Sequence, residues 1–238
     1  MSNDEKKELG PYKRAVLEAT ERAGAIKRED DGMVLFEFPN YESYRDVQVT
    51  GNKSKLRMQF VKESHIKILA DYVNDTVGEI SFGLCHGTRR GAEQSWFRTH
   101  LTGRPNVIGT EISDTATEFP HTVQWDFHDK NPDWDGNCDF VYSNSWDHAF
   151  DPVKAFGAWI DALKPGGLML LDYTKGQSPD DANALDPFGI TYEKLLTMLK
   201  TNFDTAGYLL EKIDTRKTNK EYRALVVVFQ KNAQVVLP

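Results

Sequence analysis

The sequence predicts an α/β fold, in which a doubly wound, seven-stranded and mostly parallel sheet carries one antiparallel strand near its edge. From Gly78 onward, short apolar runs alternate with amphipathic helix-like segments, which is typical of a parallel sheet. The last two apolar runs are separated only by a charged turn, which indicates an antiparallel hairpin. The chain has 238 residues, 39% of them hydrophobic, and is therefore long enough to bury a core under such a sheet.

The residues before Gly78 form a less regular, more polar segment. Helices are expected over 11–25 and 62–77, and a short strand over 33–38. Because the alternating pattern starts only at Gly78, we expect an N-terminal helical and strand extension or cap at 1–77 and a Rossmann-like domain at 78–238.

The predicted domain contains seven strands and the helices between them. The strands are expected at 80–84, 107–112, 122–127, 139–143, 168–173, 207–213 and 222–229, and the helices at 92–101, from Pro152 onward, and at 191–200. A polar loop at 174–190 is too long for a simple connection and is expected to form a lid or an acceptor wall.

Composition argues against several classes of protein. The net charge of −7 argues against a broad nucleic-acid or anionic-membrane surface. The two cysteines, Cys85 and Cys138, have neither CxxC nor zinc-site spacing, and no apolar run reaches membrane-spanning length. The charged start of the chain does not resemble a signal peptide, so a cytoplasmic protein with reduced thiols is expected.

Polar and glycine residues follow the predicted strands at their carboxyl ends, where open α/β sheets bind ligands. The loop from Cys85 to Gly91 follows the first strand, and its glycines allow a ligand to approach the backbone. Glu111 ends the second strand, where a carboxylate can accept both hydroxyls of a ribose. Asp126 ends the third strand beside aromatic residues, which suits an adenine ring. Each feature alone is also compatible with a turn, a solvated strand end or a helix cap.

One long segment resembles a known family. The run DFVYSNSWDHAFDPVKAFGAWIDALKPGGLMLLDY, residues 139–173, resembles the second half of class I S-adenosylmethionine-dependent methyltransferases. The matching features are an Asp that begins a strand, a loop that ends in His148, a helix, the sequence LKPGG and a hydrophobic strand. The resemblance covers about Gly78 to Phe229, and residues 1–77 show no pattern of this family.

The resemblance implies S-adenosylmethionine as the cofactor and assigns roles by position. It implies that Glu111 holds the ribose, that Asp126 lies near the adenine amino group, and that Phe127 packs on the adenine ring. The segment from Ser143 to Trp146 resembles the wall beside the methionine part.

The first loop departs from the family pattern of an acid followed by three alternating glycines. Gly83 stands in place of the acid, Cys85 in place of the first glycine and Arg89 in place of the third, so that only Gly87 is retained. Cys85, Gly87 and Arg89 are the cofactor-binding candidates in this loop. A guanidinium at Arg89 is suited to pair with the cofactor's carboxylate.

Transfer of a methyl group to a hydroxyl requires an in-line arrangement and a general base. His148 is the first candidate because it lies in the loop after the fourth strand, and Asp147 is the alternative or orients the histidine. A packing role for His148 is the competing interpretation. Asp126, His128, Asp147, His148 and Asp172 could gather at one sheet edge, but no metal-site spacing connects them, and no metal is predicted.

Three functions remain open from the sequence. The first is O-methylation of a small-molecule or glycan hydroxyl, with Trp134 and Trp146 near the ligand edge as a slight indication of sugar stacking. The second is methylation of nucleic acid, for which Lys53, Lys55, Arg57 and Lys62 are the basic candidates. The third is a non-catalytic or regulatory relative, suggested by the degenerate glycine loop. The sequence identifies neither the acceptor nor the oligomeric state.

Overall fold

The N-terminal part of the chain forms helices and a β-hairpin in the computed structural model, which describes residues 10–233. The elements are α1 (Pro11–Ala23), β1 (Ile26–Asp30), β2 (Met33–Glu37), α2 (Tyr41–Ser54) and α3 (Glu63–Val77). Helix α2 begins where the Asn40 side chain accepts the Ser43 N–H at 2.9 Å. The sequence prediction contains α1, β2 and α3 but lacks β1 and α2.

The remaining elements alternate as predicted, except that strand β8 (Phe188–Ile190) lies inside the segment 174–190, which was expected to be a polar loop. They are β3 (Phe82–His86), α4 (Ala92–His100), β4 (Asn106–Glu111), β5 (Thr122–Gln124), β6 (Cys138–Ser143), α5 (Pro152–Ala162), β7 (Leu163–Tyr173), β8 (Phe188–Ile190), α6 (Tyr192–Phe203), β9 (Gly207–Leu209), β10 (Ile213–Asp214) and β11 (Leu225–Lys231). Short 3₁₀ turns cover Asp114–Glu118, Trp146–His148, Lys175–Gln177 and Pro179–Asp181.

The central sheet has the order β10-β11-β7-β6-β3-β4-β5, with β9 also paired with β11. The pairs β3/β4, β4/β5, β3/β6 and β6/β7 are parallel, whereas β11 runs antiparallel to β7 and to both β9 and β10. The predicted mostly parallel sheet with an inserted antiparallel strand is therefore confirmed. The strand expected at 207–213 is interrupted, since β9 ends at Leu209 and β10 begins at Ile213.

Two strand boundaries differ from the prediction in ways that affect the site. Strand β3 reaches His86, so Cys85 belongs to the sheet and not to the loop. Strand β5 ends at Gln124, because the carboxylate of Asp126 accepts the N–H of His128 at 3.0 Å and turns the chain.

The sheet is covered on both faces, as the prediction of a doubly wound fold requires. Alternate residues of β7 point to opposite sides, so Met169 and Leu171 join one buried cluster and Leu168 and Leu170 the other. The first cluster includes side chains of α5 and α6, and the second includes side chains of α3 and α4. Helix α3, which precedes the proposed division at Gly78, thus packs on the sheet. No helix among residues 10–233 is long and apolar enough to span a bilayer.

A second, antiparallel sheet of order β1-β2-β8 joins the N-terminal part to the segment at 174–190. Met33 pairs with Ile190 and Leu35 with Phe188. Helix α2 lies beside the same segment, because a Cβ on Gly51 would stand only 2.9 Å from Leu185 Cδ2. These contacts bring α2 and residues 183–186 to the carboxyl ends of the central strands.

His86 makes stability depend on pH. Its ring is buried and stacks on Trp159 at 4.7 Å, and Nδ1 bonds the Thr110 hydroxyl at 2.8 Å. Burial lowers the pKa of His86 to about 3. Because the folded pKa lies below the unfolded value of about 6.5, the unfolded chain binds the proton first as pH falls, and stability is lost from about pH 6.5 down toward pH 3.

We expect His86→Asn to remove this effect. Below pH 6.5 this proton uptake lowers the free energy of unfolding by about 1.4 kcal/mol per pH unit. Between pH 7 and pH 5 the wild type should therefore lose about 2 kcal/mol more of its free energy of unfolding than the variant does. Urea unfolding at the two pH values measures the difference. His121→Asn is the control, because His121 is exposed and has the positive φ of 56° that asparagine tolerates. Equal pH dependence in both variants would contradict the prediction.

Candidate functional site

A cleft of about 480 Å³, counting its open mouth, lies at the carboxyl ends of the central strands beneath helix α2. Strand ends and the loops after them supply one wall, and α2 supplies the other. The residues that line it are Tyr44, Gln48, Gly51, Asn52, Lys55, Gly87, Arg89, Glu111, Ile112, Asp126, Phe127, Ser145 and His148. Six sequence-predicted site residues are therefore brought together: Gly87, Arg89, Glu111, Asp126, Phe127 and His148.

Gly87 allows the loop after β3 to pass close to the loop after β6. Its φ is 71°, and a Cβ there would stand 2.7 Å from the Cβ of Ser145. The N–H groups of Gly87 and Thr88 both donate to the Thr110 carbonyl, at 2.9 and 3.1 Å. The retained glycine therefore has a packing reason in this chain.

Gly83, which stands in place of the family's acid, also has a physical explanation. A Cβ on Gly83 would lie 2.2 Å from ring carbon Cε1 of Phe140, a residue of the neighbouring strand β6. The aromatic ring fills the space beside Gly83, so this position cannot carry any larger side chain without displacement of the ring.

We expect Gly83→Ala to destabilise the fold by about 1–3 kcal/mol, the usual cost of overpacking a buried site. Gly157→Ala is the matched control, because the new Cβ would lie 3.6 Å from the Phe203 ring in ordinary contact. Alanine also suits the interior of helix α5, so the control should be neutral or slightly stabilising. Urea unfolding compares the two, and a stable Gly83→Ala protein would contradict the packing argument.

Glu111 is a buried carboxylate at the end of β4, and it lines the cleft. Its oxygens accept the N–H of Arg89 at 3.2 Å and of Ser113 at 3.3 Å. Burial raises the pKa of Glu111, while the Ser113 N–H and the charge of Arg89 oppose the rise. On the facing helix, Asn52 Nδ2 is a buried donor that makes no hydrogen bond of normal geometry, although the Asn52 amide lies close enough to Glu111 to help lower the pKa of that carboxyl. The two residues thus present acceptor and donor atoms to the same cleft.

Asp126 is held by two neighbours. Its Oδ1 accepts the backbone N–H of His128 at 3.0 Å and His128 Nδ1–H at 2.7 Å, and its Oδ2 accepts the Tyr41 hydroxyl at 2.8 Å. Burial raises the pKa of Asp126, but these hydrogen bonds outweigh it and leave the pKa below its ordinary value. A carboxylate offers about four lone-pair positions, so one remains for a donor in the cleft. Phe127 lies beside it and lines the cleft.

Arg89 has the positive φ of 47°, which its place in the loop requires. Its Nη1 donates to the Met58 carbonyl at 3.0 Å, and the guanidinium lies 5.2 Å from the centre of the Phe60 ring. The side chain is therefore held at the cleft mouth by the segment between α2 and α3.

Two of the predicted cofactor residues do not present their side chains to the cleft. Cys85 is fully buried in the cluster under α3 and α4, where burial raises the pKa of its thiol well above the ordinary value. The hydroxyl of Ser143 is also buried and donates to the His86 carbonyl at 3.1 Å. Ser145, two residues later, lines the cleft instead.

His148 lines the cleft and contacts both α2 and the 174–190 segment. Its Nδ1 is 2.7 Å from Gln48 Oε1, and its Nε2 is 3.2 Å from Asp186 Oδ1. Lys55 Nζ lies 3.4 Å from the same Asp186 oxygen. Burial lowers the pKa of His148 to about 4; Asp186 raises it and Lys55 lowers it further. The ring is therefore neutral near pH 7.

Asp147 does not pair with His148 and does not line the cleft. It is buried, its Oδ1 has no hydrogen-bond partner, and burial together with the charge of Asp186 raises its pKa well above the ordinary value. Asp172 is also buried and accepts His65 Nε2 at 2.9 Å and the Tyr142 hydroxyl at 2.7 Å. Within residues 10–233, no group of three or more His, Cys, Asp and Glu side chains is arranged to hold a metal ion.

Helix α2 and Asp186 supply site residues that the sequence analysis missed. The α2 residues share one face at helical spacing and are Tyr44, Val47, Gln48, Gly51 and Asn52. The sequence does contain two indications of helix α2, namely the N-cap residue Asn40 and this i, i+3, i+4, i+7, i+8 spacing. A criterion based on apolar residues does not detect it, because three of the five residues on that face are polar or glycine.

No protein-family model matches the chain, and no curated protein matches it. Solved structures do. The 1,6-didemethyltoxoflavin-N1-methyltransferase of Burkholderia thailandensis has a TM-score of 0.59 at 13% identity, covering 87% of this chain and 99% of its own. N-methyltransferase NodS of Bradyrhizobium japonicum has a TM-score of 0.55 at 13% identity, covering 77% and 98%. CalS10 of Micromonospora echinaspora, an amino pentose methyltransferase, has a TM-score of 0.52 at 14% identity, covering 77% and 97%. At these identities the likeness shows the fold.

Proposed function

We propose that this protein binds S-adenosylmethionine and methylates a hydroxyl of a small molecule or glycan, such as a sugar. The chain has the fold of class I S-adenosylmethionine-dependent methyltransferases. The observation that carries the proposal is that buried Glu111 and the Asn52 amide nitrogen, which makes no hydrogen bond of normal geometry, line the same cleft. An unsatisfied buried donor is costly unless a ligand completes it.

The residues present fit the adenosine part of this cofactor. The Glu111 carboxylate would accept ribose hydroxyls, and Asn52 Nδ2 would donate to a ribose oxygen. The remaining lone-pair position of Asp126 would accept an adenine N–H, and Phe127 would pack against the ring. Arg89, at the cleft mouth, would pair with the carboxylate of the methionine part. All three solved structures above are named as methyltransferases, and all three are described with S-adenosylhomocysteine or S-adenosylmethionine bound.

The reaction needs a base, and His148 is the residue placed to act as one. The cofactor, when bound, supplies a methyl group on a sulfonium centre. His148 is neutral near pH 7, so its unprotonated nitrogen is able to take the hydroxyl proton of an acceptor in the cleft. Asp147 is less suited, because its side chain lies outside the cleft, and burial together with the charge of Asp186 raises its pKa well above the ordinary value.

Two other acceptors define the alternatives. An amine acceptor is favoured by the names of two relatives in fold, which are N-methyltransferases. A nucleic-acid acceptor is weakened because two of the four basic candidates are paired with acids: Lys53 Nζ lies 2.8 Å from Asp114 Oδ1, and Lys55 is buried beside Asp186. The third alternative, a non-catalytic relative, would bind the cofactor weakly or not at all. The proposed cytoplasmic location and the division at Gly78 stay predictions.

Calorimetric titration with S-adenosylmethionine and S-adenosylhomocysteine tests the proposal first. We expect saturable binding of both, and absence of heat at high concentration would favour the non-catalytic alternative. Release of S-adenosylhomocysteine is then followed with three probe classes: hydroxylated sugars, small amines and short oligonucleotides. Turnover with sugars supports the hydroxyl proposal, and turnover with one of the other two probes alone would replace it.

A further inference from the structure

The carboxylate of Asp126 is surrounded by hydrogen-bond donors. Its Oδ1 accepts the backbone N–H of His128 at 3.0 Å and His128 Nδ1–H at 2.7 Å, and these bonds use both lone pairs of that oxygen. Its Oδ2 accepts the Tyr41 hydroxyl at 2.8 Å and keeps one lone pair. Burial raises the pKa of Asp126, but the hydrogen bonds from His128 and Tyr41 outweigh it, so the carboxyl is ionised near pH 7. Because an ionised carboxylate only accepts hydrogen bonds, a group that binds at the remaining lone pair must be a donor.

Both residues that hold Asp126 reach it from outside the cleft. Asp126 lines the cleft, whereas neither Tyr41 nor His128 is among the described residues that line it. Tyr41 lines a separate hollow of about 490 Å³, counting its open mouth, which also contains Asp126, Arg45 and Trp125. The hydrogen bonds from Tyr41 and His128 therefore leave the cleft side of Asp126 to a ligand.

Tyr41 is held in place as the first residue of helix α2. The helix begins there because the Asn40 side chain caps it, and the Tyr41 ring lies 6.1 Å from the Tyr44 ring and 6.2 Å from the Phe150 ring, measured between centres. Burial raises the pKa of Tyr41, and the hydrogen bond to Asp126 raises it further, so the hydroxyl keeps its proton and remains a donor. The N-terminal part of the chain thus supplies a fixed donor to an acid that follows the central sheet.

This arrangement distinguishes purines by the group at their position 6. A 6-amino group carries N–H donors, which the free lone pair of Asp126 is able to accept, whereas a 6-oxo group would place a second acceptor against the carboxylate. Asp126 cannot adapt by turning its carboxylate, because rotation would break the bonds to Tyr41 and His128. Without the Tyr41 hydroxyl, one restraint is lost and the carboxyl is more easily protonated, and a protonated carboxyl is able to donate to an oxo group.

We propose that Tyr41 is a positioning residue for Asp126 and thereby selects a cofactor with a 6-amino purine over one with a 6-oxo purine. This rests on the proposed function, in which Asp126 binds the adenine ring. Tyr41 acts through Asp126 and does not itself need to touch the cofactor. The proposal assigns a part in cofactor recognition to the N-terminal segment, in which the sequence shows no pattern of the methyltransferase family.

Calorimetric titration with S-adenosylhomocysteine and S-inosylhomocysteine tests the proposal without a methyl acceptor. The two ligands differ in the group at position 6 of the purine, which is amino in the first and oxo in the second. We expect the wild type to bind S-adenosylhomocysteine roughly 10- to 150-fold more tightly, the size expected for one hydrogen bond to a charged group. Equal affinities of the wild type for the two ligands would overturn the proposal.

Tyr41→Phe removes only the hydroxyl, so the ratio of the two affinities should fall roughly three- to tenfold, the size expected for one lost hydrogen bond. A purely structural role of Tyr41 would weaken both ligands alike and leave the ratio unchanged, and that result would contradict the proposal.

Tyr208→Phe is the matched control for this change. The Tyr208 hydroxyl donates to Gln230 Oε1 at 2.7 Å, so the control also loses one hydroxyl bond of a partly exposed tyrosine. Tyr208 belongs to β9, which pairs with β11 at the side of the sheet opposite to β5 and Asp126. The ratio of the two affinities should therefore stay at its wild-type value.

Asp126→Asn separates the role of Tyr41 from the proposed function. The variant introduces an amide N–H donor at the carboxylate, so the preference should move toward S-inosylhomocysteine. An unchanged ratio in Asp126→Asn, or failure of the wild type to bind S-adenosylhomocysteine, would overturn the placement of adenine at Asp126 and this proposal with it. A changed ratio in Asp126→Asn together with a wild-type ratio in Tyr41→Phe would overturn only the role of Tyr41.

Discussion

Replacement of His148 with asparagine is expected to lower methyl-transfer turnover by about 10²–10⁴-fold, the usual range for loss of a general base. Asparagine can still hydrogen-bond but has no basic nitrogen. Cofactor affinity should change little, because the cofactor candidates Glu111, Asp126 and Phe127 occupy other parts of the cleft wall. Turnover is measured as transfer of labelled methyl to the acceptor that the probe screen identifies, and affinity by calorimetry.

The matched control is His121→Asn, which makes the same exchange at an exposed histidine before β5. It should retain full turnover. Normal turnover in His148→Asn at neutral pH would transfer the role of base to Asp186, the nearest ionised carboxylate. A large loss of cofactor affinity would assign His148 to the cofactor-binding wall instead.

Glu111→Ala is expected to weaken S-adenosylmethionine binding by about 1.5–3 kcal/mol, or roughly 10- to 150-fold. The variant removes the carboxylate proposed to accept the ribose hydroxyls. It also removes the acceptor of the Arg89 and Ser113 N–H groups, which helps to hold the loop after β3. Calorimetric titration gives the affinity, and thermal unfolding shows whether the variant remains folded.

Glu118→Ala is the control for this change. Glu118 is an exposed acid of the 3₁₀ turn that follows β4. It removes the same net charge from the same part of the molecule, so its affinity for the cofactor should match the wild type. Equal affinity in folded Glu111→Ala would refute the assignment of Glu111 to the ribose.

The positions of Glu111 and His148 follow from the sequence, whereas the residues that contact them do not. The position of Glu111 at a strand end follows from local pattern, because an apolar run stops there and the carboxyl ends of parallel strands share one edge of the sheet. The position of His148 in the cleft follows from the loop after β6 in the same way. Their partners do not follow from local pattern, since Asn52, Gln48 and Asp186 come from segments far away along the chain.

The loop after β3 shows where position alone misleads. Placing Cys85 in the loop assumes that the first strand ends at residue 84, but the ladder with β4 continues to His86. In a strand, a shift of this kind decides whether a side chain faces the core or the ligand. Cys85 therefore packs under α3 and α4, and only Gly87 and Arg89 of that candidate set reach the cleft.

The sequence by itself determined the succession of strands and helices along the chain, the antiparallel insertion of the last strand and the acids at the strand ends. These features depend on the spacing of hydrophobic residues and on turn residues, which are local properties of the chain. Only the tertiary structure decided which residues close the cleft. Pairing of β2 with β8 and the close approach of Gly51 to Leu185 bring α2 and Asp186 over the strand ends. Contacts between residues more than a hundred positions apart depend on packing of the whole chain, and no local pattern encodes them.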